Sequence, residues 1–585
     1  MVFRILKYLS KKERLMVFGT LLLTMAQVWL ELKMPDYMAE ITTLAQTAGS
    51  AMAEIWRAGG MMLLCAFGSM VTTMITGFLC AKIAAGYSMR LREIVFRRTQ
   101  AFSMEELNRF SIASLITRST NDVTQVQSLV AMGMQMVMKS PLMAIWAIVK
   151  ISSKQWQWTL TAWICVGVLL VMNGVLIALS EPKFRIMQTL TDNINRVTRE
   201  HLTGLRVVRA YNAEGYQEKK FEDANEALTK TGLFTGRLMS IMDPGFMLIM
   251  NGMNVAIYWI GAYILNAAEV AVRPALYGDM VAFSSYAMQV IMSFDMLVFI
   301  FVMAPRALVS ARRILEVIET EPKIKDGAGA KETETGTVEF RNVSFRYPGA
   351  SDDVLSDISF TARRGETVAF IGSTGSGKTS LVNLILRFYD VTGGQVLVDG
   401  ADVRDYPQKT LREKLGFVPQ KAVLFSGTVE SNVSSFDESS EDVRERVREA
   451  VAIAQGTEFV SGLSGTYHGS VAQGGANFSG GQKQRLSIAR AVYRRPEILI
   501  FDDSFSALDY RTDRELRSAL KEHTAGTTCL IVAQRIGTIM DADRIVVLDR
   551  GRVAGVGTHR ELLKSCEVYH QIALSQLSEE ELENV

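Results

Sequence analysis

The chain has 585 residues, 48% of them hydrophobic and 21% charged, and its 63 Lys+Arg exceed its 61 Asp+Glu by only two. That near-balance excludes a nucleic-acid binder working by bulk basicity, and the apolar share excludes a disordered chain. Five scattered cysteines (Cys65, Cys80, Cys165, Cys529 and Cys566), with no CxxC pair, argue against a disulfide scaffold and a zinc site.

The first half carries six apolar runs, each long enough to cross a bilayer, which takes about 20 residues. They cover residues 15–34, 58–81, 129–151, 156–179, 239–265 and 280–305. The first follows a basic stretch (Lys7, Lys11, Lys12, Arg14), as the apolar part of a signal peptide does. It is long and no small-residue cleavage site follows, so it reads as a membrane helix. Before it, Phe3, Ile5, Leu6, Tyr8 and Leu9 with nearby lysines predict a short amphipathic helix lying on the membrane.

The first and fifth connections, 36–54 and 267–278, are poor in Lys and Arg. The second and fourth are long and basic, with Arg90, Arg92, Arg97, Arg98, Arg109 and Arg118 in one and Lys183, Arg185, Arg196, Arg199, Arg206, Arg209, Lys219 and Lys220 in the other. Basic loops face the cytoplasm, which places both termini there; the loop with Lys150 and Lys154 is an exception. Apolar residues at helical spacing in the long loops (Ile94, Val95; Ile186, Leu190, Ile194, Val197) predict membrane helices that run far beyond the bilayer.

After Arg313 the composition changes. Residues 1–315 read as a transmembrane domain, 316–337 as a linker, 338–578 as an α/β domain and 579–585 as an acidic tail. In the α/β domain short β runs at 338–345, 367–372, 395–400, 498–503, 528–534 and 544–549 alternate with helical stretches. That alternation implies a largely parallel sheet.

The strand at 367–371 runs into Gly372-Ser-Thr-Gly-Ser-Gly-Lys-Thr-Ser380, a match to G-x-x-x-x-G-K-[ST] between a strand and a helix. In such a loop Gly372, Ser373, Thr374, Gly375, Ser376 and Gly377 turn backbone N–H groups toward phosphate oxygens. Lys378 brings a positive charge, Thr379 a hydroxyl for Mg²⁺, and the following helix, expected at 381–388, its positive end. A Gly-rich turn that binds nothing fits the glycines but not the strand–loop–helix setting. Further on, 498–501 is a buried strand ending at Asp502, where a carboxylate holds Mg²⁺; as a bare helix cap it would not need the loop upstream.

Between these two lies Asn477-Phe-Ser-Gly-Gly-Gln-Lys-Gln-Arg485. With the phosphate loop, it closely resembles the signature of ABC transporters. The resemblance spans the chain, six membrane helices and then one nucleotide-binding domain, the order of an ABC exporter half-transporter of the multidrug type. It implies ATP and Mg²⁺ as cofactors. Residue by residue, Tyr347 matches the aromatic that stacks on adenine, and Gln420 the glutamine that contacts Mg²⁺ and couples to the membrane domain. Ser479, Gly480, Gly481 and Gln482 match the signature that caps ATP held by the opposite subunit, and Ser506-Ala-Leu-Asp509 the D-loop. Segments 104–115 and 208–217 resemble coupling helices, the second docking on the partner subunit.

The sequence departs from the family at three positions. Asp503 stands where the catalytic glutamate follows the Walker B aspartate, Gln534 where the switch histidine is expected, and Gln473 where exporters carry a glutamate. An Asp carboxylate falls back by about 1–1.5 Å, and displacement of that order costs about a hundredfold in rate. A Gln amide hydrogen-bonds phosphate but never becomes cationic. Two losses at one composite site resemble the degenerate-site subunit of a heterodimeric bacterial exporter. An unlike half-transporter then supplies the missing glutamate and histidine, and this chain lends it an intact signature.

The implied substrate is a hydrophobic or amphiphilic small molecule moved across the plasma membrane, with lipid as surroundings and no nucleic acid involved. Asp295, within the sixth run, either attracts cationic amphiphiles or bonds a neighbouring helix. Phe294, Phe299 and Phe301 with Met292, Met296 and Met303 either line a cavity or pack helices. Asp243 before Pro244 reads as part of a helix kink, and Glu31 as interfacial. A dedicated lipid or peptide exporter, or an ATP-gated channel or regulator, shares the architecture and remains the alternative.

Overall fold

The computed structural model describes residues 2–47, 49–437 and 440–577, the side chains of 2, 3 and 301–303 excepted. The acidic tail at 579–585 and the side chains of Phe3, Phe301 and Met303 therefore lie outside the described residues. Contacts divide the chain into two units, Met1–Gln100 with Ala113–Thr320 and Ala101–Ile112 with Glu321–Val585.

The helices of the first half are α1 (Val2–Leu6), α2 (Lys11–Gln46), α3 (Met52–Gln100), α4 (Met104–Phe110), α5 (Ile112–Ser119), α6 (Asn121–Ser128), α7 (Met134–Ser152), α8 (Trp156–Thr203), α9 (Leu205–Ala210), α10 (Glu214–Met239), α11 (Met242–Ala267) and α12 (Arg273–Glu319). Among the described residues six stretches are long and apolar enough to cross a membrane: α2, α3, Ile112–Ser152, α8, Glu214–Ala267 and α12. α3 has 49 residues, about 74 Å at helical rise, against a hydrocarbon core of about 30 Å. The runs 58–81 and 156–179 are thus parts of longer helices, α3 and α8, that continue through the basic segments, as the apolar spacing of the long loops predicts. One turn of π-helix, Leu129–Gly133, joins α6 to α7.

One expectation is corrected in the first unit. The first connection is short: α2 continues through Pro35 to Gln46, past the residue where the loop was expected to begin. Glu31, expected near the end of the first helix, is consequently mid-helix. Its Oε1 accepts from Lys139 Nζ on α7 at 2.9 Å, from Gln27 at 2.9 Å and from Ser69 on α3 at 3.3 Å. A carboxylate in an apolar bundle is retained where a cation and neutral donors satisfy it. α1 also does more than lie on a surface. Ile5 is buried, and its carbonyl accepts from Tyr87 Oη on α3 at 2.7 Å.

The core of this unit surrounds Trp158, Phe283 and Tyr286, with the Trp158 and Phe283 rings 5.6 Å apart. α12 approaches α2 closely at Gly278, where a Cβ would lie 2.6 Å from the Ala39 carbonyl oxygen. The expected kink near Asp243 is a break between α10 and α11 at Ser240 and Ile241. Asp295 is half-buried on α12, and no hydrogen bond or ion pair reaches it among the described residues. Phe294 packs against the core, while Met292, Met296 and Phe299 are exposed.

The second unit is built on strands β1 (Val338–Phe345), β2 (Leu355–Ala362), β3 (Thr367–Gly372), β4 (Gly393–Val398), β5 (Ala401–Asp402), β6 (Leu415–Val418), β7 (Gly427–Thr428), β8 (Ser470–Val471), β9 (Ile498–Asp502), β10 (Thr528–Val532), β11 (Arg544–Asp549) and β12 (Arg552–Gly557). A six-stranded sheet has the order β12-β11-β3-β10-β9-β6, parallel except at the β12 edge. A four-stranded antiparallel sheet has the order β2-β1-β4-β5. The central strands are apolar throughout because both faces are covered. Val368 and Phe370 of β3 point into one core with β1 and β2, while Ala369 and Ile371 point into the other with the helix Gly480–Tyr493. Putting β3, β10 and β9 side by side aligns their C-terminal ends, where α/β sheets bind ligands.

Candidate nucleotide-binding site

The loop leaving β3 has the shape its glycines allow. Gly375 and Gly377 have φ of +86° and +99°. At Gly377 a Cβ would also lie 2.5 Å from Leu355 Cδ2, so only glycine fits. The helix Lys378–Ile385 starts at once after the loop, with Gly377 at its N-cap. Lys378 is buried, and its Nζ donates to the carbonyls of Gly372 at 2.8 Å and Ser373 at 2.9 Å. These loop carbonyls hold the ammonium where phosphate oxygens would otherwise meet it. Thr379 Oγ1, on the helix after the loop, donates to Asp502 Oδ1 at the end of β9 at 3.2 Å. A hydroxyl and a carboxylate so placed offer the hard oxygen ligands that Mg²⁺ prefers, with phosphate completing the set. No group of three or more His, Cys, Asp or Glu suited to a metal exists among the described residues. The Thr379 and Asp502 oxygens fit Mg²⁺ carried by a nucleotide.

Tyr347 follows β1. Its hydroxyl lies 2.9 Å from Ser380 Oγ, and its ring stands edge-on to Phe345 and Tyr389. Tyr389 in turn accepts from Asn108 Nδ2 on α4 at 2.9 Å. The sequence offers no cue to this contact, because Asn108 and Tyr389 are 281 residues apart.

Asp502 ends β9 in a fully buried strand. Asp503 follows at φ +50°, and its N–H donates to the Val532 carbonyl at 2.9 Å, which anchors the turn. Its Oδ2 accepts from Gln534 Nε2 at 2.9 Å and from Gln420 Nε2 at 3.2 Å. Two of the three departures from the family pattern, Asp503 and Gln534, are therefore bonded to each other. Burial pushes the Asp502 carboxyl up from its ordinary range, the Thr379 hydrogen bond opposes this, and Asp503 adds to it. Burial likewise raises Asp503, against the Gln420 hydrogen bond and the charges of Lys378 and Arg535. Burial draws Lys378 down, opposed by Asp503 and Asp502.

Gln576 was invisible in the sequence. Its Nε2 donates to the Gln534 carbonyl at 2.8 Å and its Oε1 accepts from Ile536 N–H at 2.8 Å, so it pins the switch segment from both sides.

The signature residues stand apart from this cluster. Ser479 caps the helix Gly480–Tyr493, accepting from Gln482 N–H at 3.3 Å, while Gln482 Oε1 accepts from Ser479 N–H at 2.9 Å. A Cβ at Gly480 would meet open space, whereas one at Gly481 would lie 3.5 Å from the Ala507 carbonyl oxygen. Among the described residues no hydrogen bond joins Ser479, Gly480, Gly481 or Gln482 to the phosphate loop. Asp509 caps the helix Tyr510–His523 through Thr512 N–H at 2.9 Å. Gln473 is exposed in a short turn before the signature.

Six long apolar helices joined to a phosphate-loop α/β sheet define a membrane protein that carries its own nucleotidase. Two families match, the ABC transporter transmembrane region over residues 16–294 and the ABC transporter family over residues 355–506. An uncharacterized ABC transporter ATP-binding protein of Mycobacterium tuberculosis is 39% identical over 98% of both chains. One from Bacillus subtilis is 34% identical over 96% of both. An ATP-dependent lipid A-core flippase of Pseudomonas aeruginosa is 31% identical over 86% of this chain and 82% of its own. Among solved structures, a bacterial Atm1-family ABC exporter with ATP bound superposes with a TM-score of 0.80 at 24% identity, covering 97% of this chain and 100% of that one. The chain belongs to the ABC transporters, has the exporter fold, and is an ATP-hydrolysing multi-pass membrane transporter.

Proposed function

We propose that the chain is one half of a heterodimeric bacterial exporter of hydrophobic or amphiphilic small molecules. It sits in the plasma membrane with both termini and the nucleotide-binding unit in the cytoplasm. Domain bounds of 1–315, 316–337 and 338–578 belong to this reading. ATP and Mg²⁺ are held by residues 372–380, with Tyr347 at the adenine, Lys378 at the phosphates, and Thr379, Asp502 and Gln420 around the metal. Ser479, Gly480, Gly481 and Gln482 close over ATP bound to the partner. Asp295 contacts substrate.

One observation supports the degenerate-site assignment above the rest. The carboxylate expected to activate water, Asp503, has one oxygen committed to two glutamine amides, and neither amide can gain a charge. A base that is short and tethered is a poor one, so hydrolysis falls to the partner's site. In an equal mixture with that partner, Asp503→Glu leaves turnover nearly unchanged, whereas replacing the partner's glutamate abolishes it. Brisk ATP hydrolysis by the purified chain alone contradicts the reading.

A lipid flippase is the second reading, favoured by relatives named ATP-dependent lipid A-core flippases at 30–31% identity. Stimulation of ATPase activity by lipid and not by amphiphilic dyes would decide for it.

A further inference from the structure

Away from the nucleotide site, α2 and α7 carry the same pair of residues at the same spacing. Trp29 and Lys33 are four apart on α2, and Trp146 and Lys150 are four apart on α7. At that spacing each lysine stands one helical turn above its tryptophan on one face. The four side chains converge on one groove of about 170 Å³, with Leu32 and Val149 completing its apolar wall. That volume would hold about five waters, so it admits a headgroup phosphate but not a folded segment.

The charge in the groove is unbalanced. Lys150 Nζ donates to Asp36 Oδ2 at 2.6 Å, and Lys33 Nζ is 3.7 Å from the same oxygen. Asp36 Oδ1 is already taken by Tyr286 Oη at 2.5 Å. Two ammonium groups thus share one carboxylate, and both lysine side chains stay 38% exposed. Lys33 Nζ also lies 5.9 Å from the Trp29 ring centre. Both lysines fall at the ends of apolar runs, 15–34 and 129–151, the level at which lysines reach headgroups and indoles sit beneath them.

We propose that this groove is a binding site for an anionic glycerophospholipid, its phosphate between Lys33 and Lys150 and its first acyl carbons against Trp29, Trp146, Leu32 and Val149. A zwitterionic lipid carries its own ammonium toward the two lysines and is disfavoured. Free phosphate lacks the apolar part that the wall would cover. The site uses none of the nucleotide-binding residues, and its assignment does not depend on which substrate the transporter carries.

The test uses the full chain in detergent, with equal amounts of phosphatidylglycerol and phosphatidylcholine, read by native mass spectrometry. Retention of phosphatidylglycerol should exceed that of phosphatidylcholine. Lys33→Gln should cut the preference by about fivefold, the usual worth of one lysine beside an anionic headgroup. Lys33→Arg should keep it. As a check on the unaltered chain, brominated phosphatidylglycerol should quench tryptophan fluorescence more than brominated phosphatidylcholine. Equal retention of the two lipids, an unchanged preference in Lys33→Gln, or displacement of the lipid by millimolar inorganic phosphate would each overturn the assignment.

Discussion

Gln534 and Asp503, 31 residues apart in sequence, meet at 2.9 Å, amide nitrogen to carboxylate oxygen. They are the two positions at which the chain leaves the family's catalytic pattern, and the bond makes them one unit. The amide occupies Oδ2 together with Gln420, which fixes the rotation of a side chain already shorter than glutamate.

Bonded residues do not contribute independently, and the coupling between them is on the order of 1 kcal/mol. Asp503→Glu and Gln534→His should therefore each change phosphate release by the purified chain only slightly. The double variant should exceed the product of the two single effects by about fivefold, which is that coupling expressed as a rate. Rates that simply multiply would mean the two residues act apart.

Lys378→Ala should weaken ATP binding by at least about tenfold, since hydrogen bonds to charged groups contribute about 1.5–3 kcal/mol. Thr379→Val should instead leave metal-free nucleotide binding intact and raise the Mg²⁺ concentration needed, because it removes only the hydroxyl facing Asp502. Titrations of a fluorescent ATP analogue, with and without Mg²⁺, separate the two effects.

Asp502 gives a pH dependence of stability. Its folded-state carboxyl titrates above the unfolded value because burial disfavours the charge. The folded unit therefore holds the proton more tightly, and this group's contribution to stability falls as pH rises from the unfolded pKa through the folded one. Above that window the buried charge is a cost, which Asp502→Asn removes. In nucleotide-free protein the variant should melt higher at pH 7 by roughly 2–4 °C, the shift that about 1 kcal/mol produces in a domain of this size. The gap should narrow on acidification through the raised pKa. A gap that widens in acid refutes the linkage.

Glu31→Gln should destabilise the membrane unit by about 3 kcal/mol, because it strands Lys139 without its counter-charge. Exchanging the two charges, Glu31→Lys with Lys139→Glu, should recover most of the loss. Thermal aggregation in detergent measures both. Equal stability of wild type and Glu31→Gln would mean that Lys139 reaches water on its own.

Gln576→Ala removes two hydrogen bonds from the switch segment, to Gln534 and Ile536, at about 1 kcal/mol each. Amide exchange across 533–539 should rise while exchange in β3 stays unchanged. Uniform exchange across the unit would point to general unfolding instead.

Local order was legible in the chain wherever periodicity or a fixed motif encodes it. Runs of some 20 apolar residues announce bilayer helices, and G-x-x-x-x-G-K-[ST] after a strand announces a phosphate loop, because each pattern satisfies its physics within a few dozen residues. The sequence placed Lys378, Thr379 and Asp502 in one cluster, and the parallel register of β3, β10 and β9 brings them together. What it did not hold were contacts between distant segments. Glu31 gave no sign of its partner until α2 proved to continue to Gln46 and Lys139 to stand opposite it. The Asp503–Gln534 bond, the Gln576 pin and the Asn108–Tyr389 contact each join side chains whose neighbours in sequence say nothing of one another. Backbone pattern is set by residues three or four apart, whereas a side chain's partner is set by where whole helices and strands pack, and no short stretch of sequence carries that information.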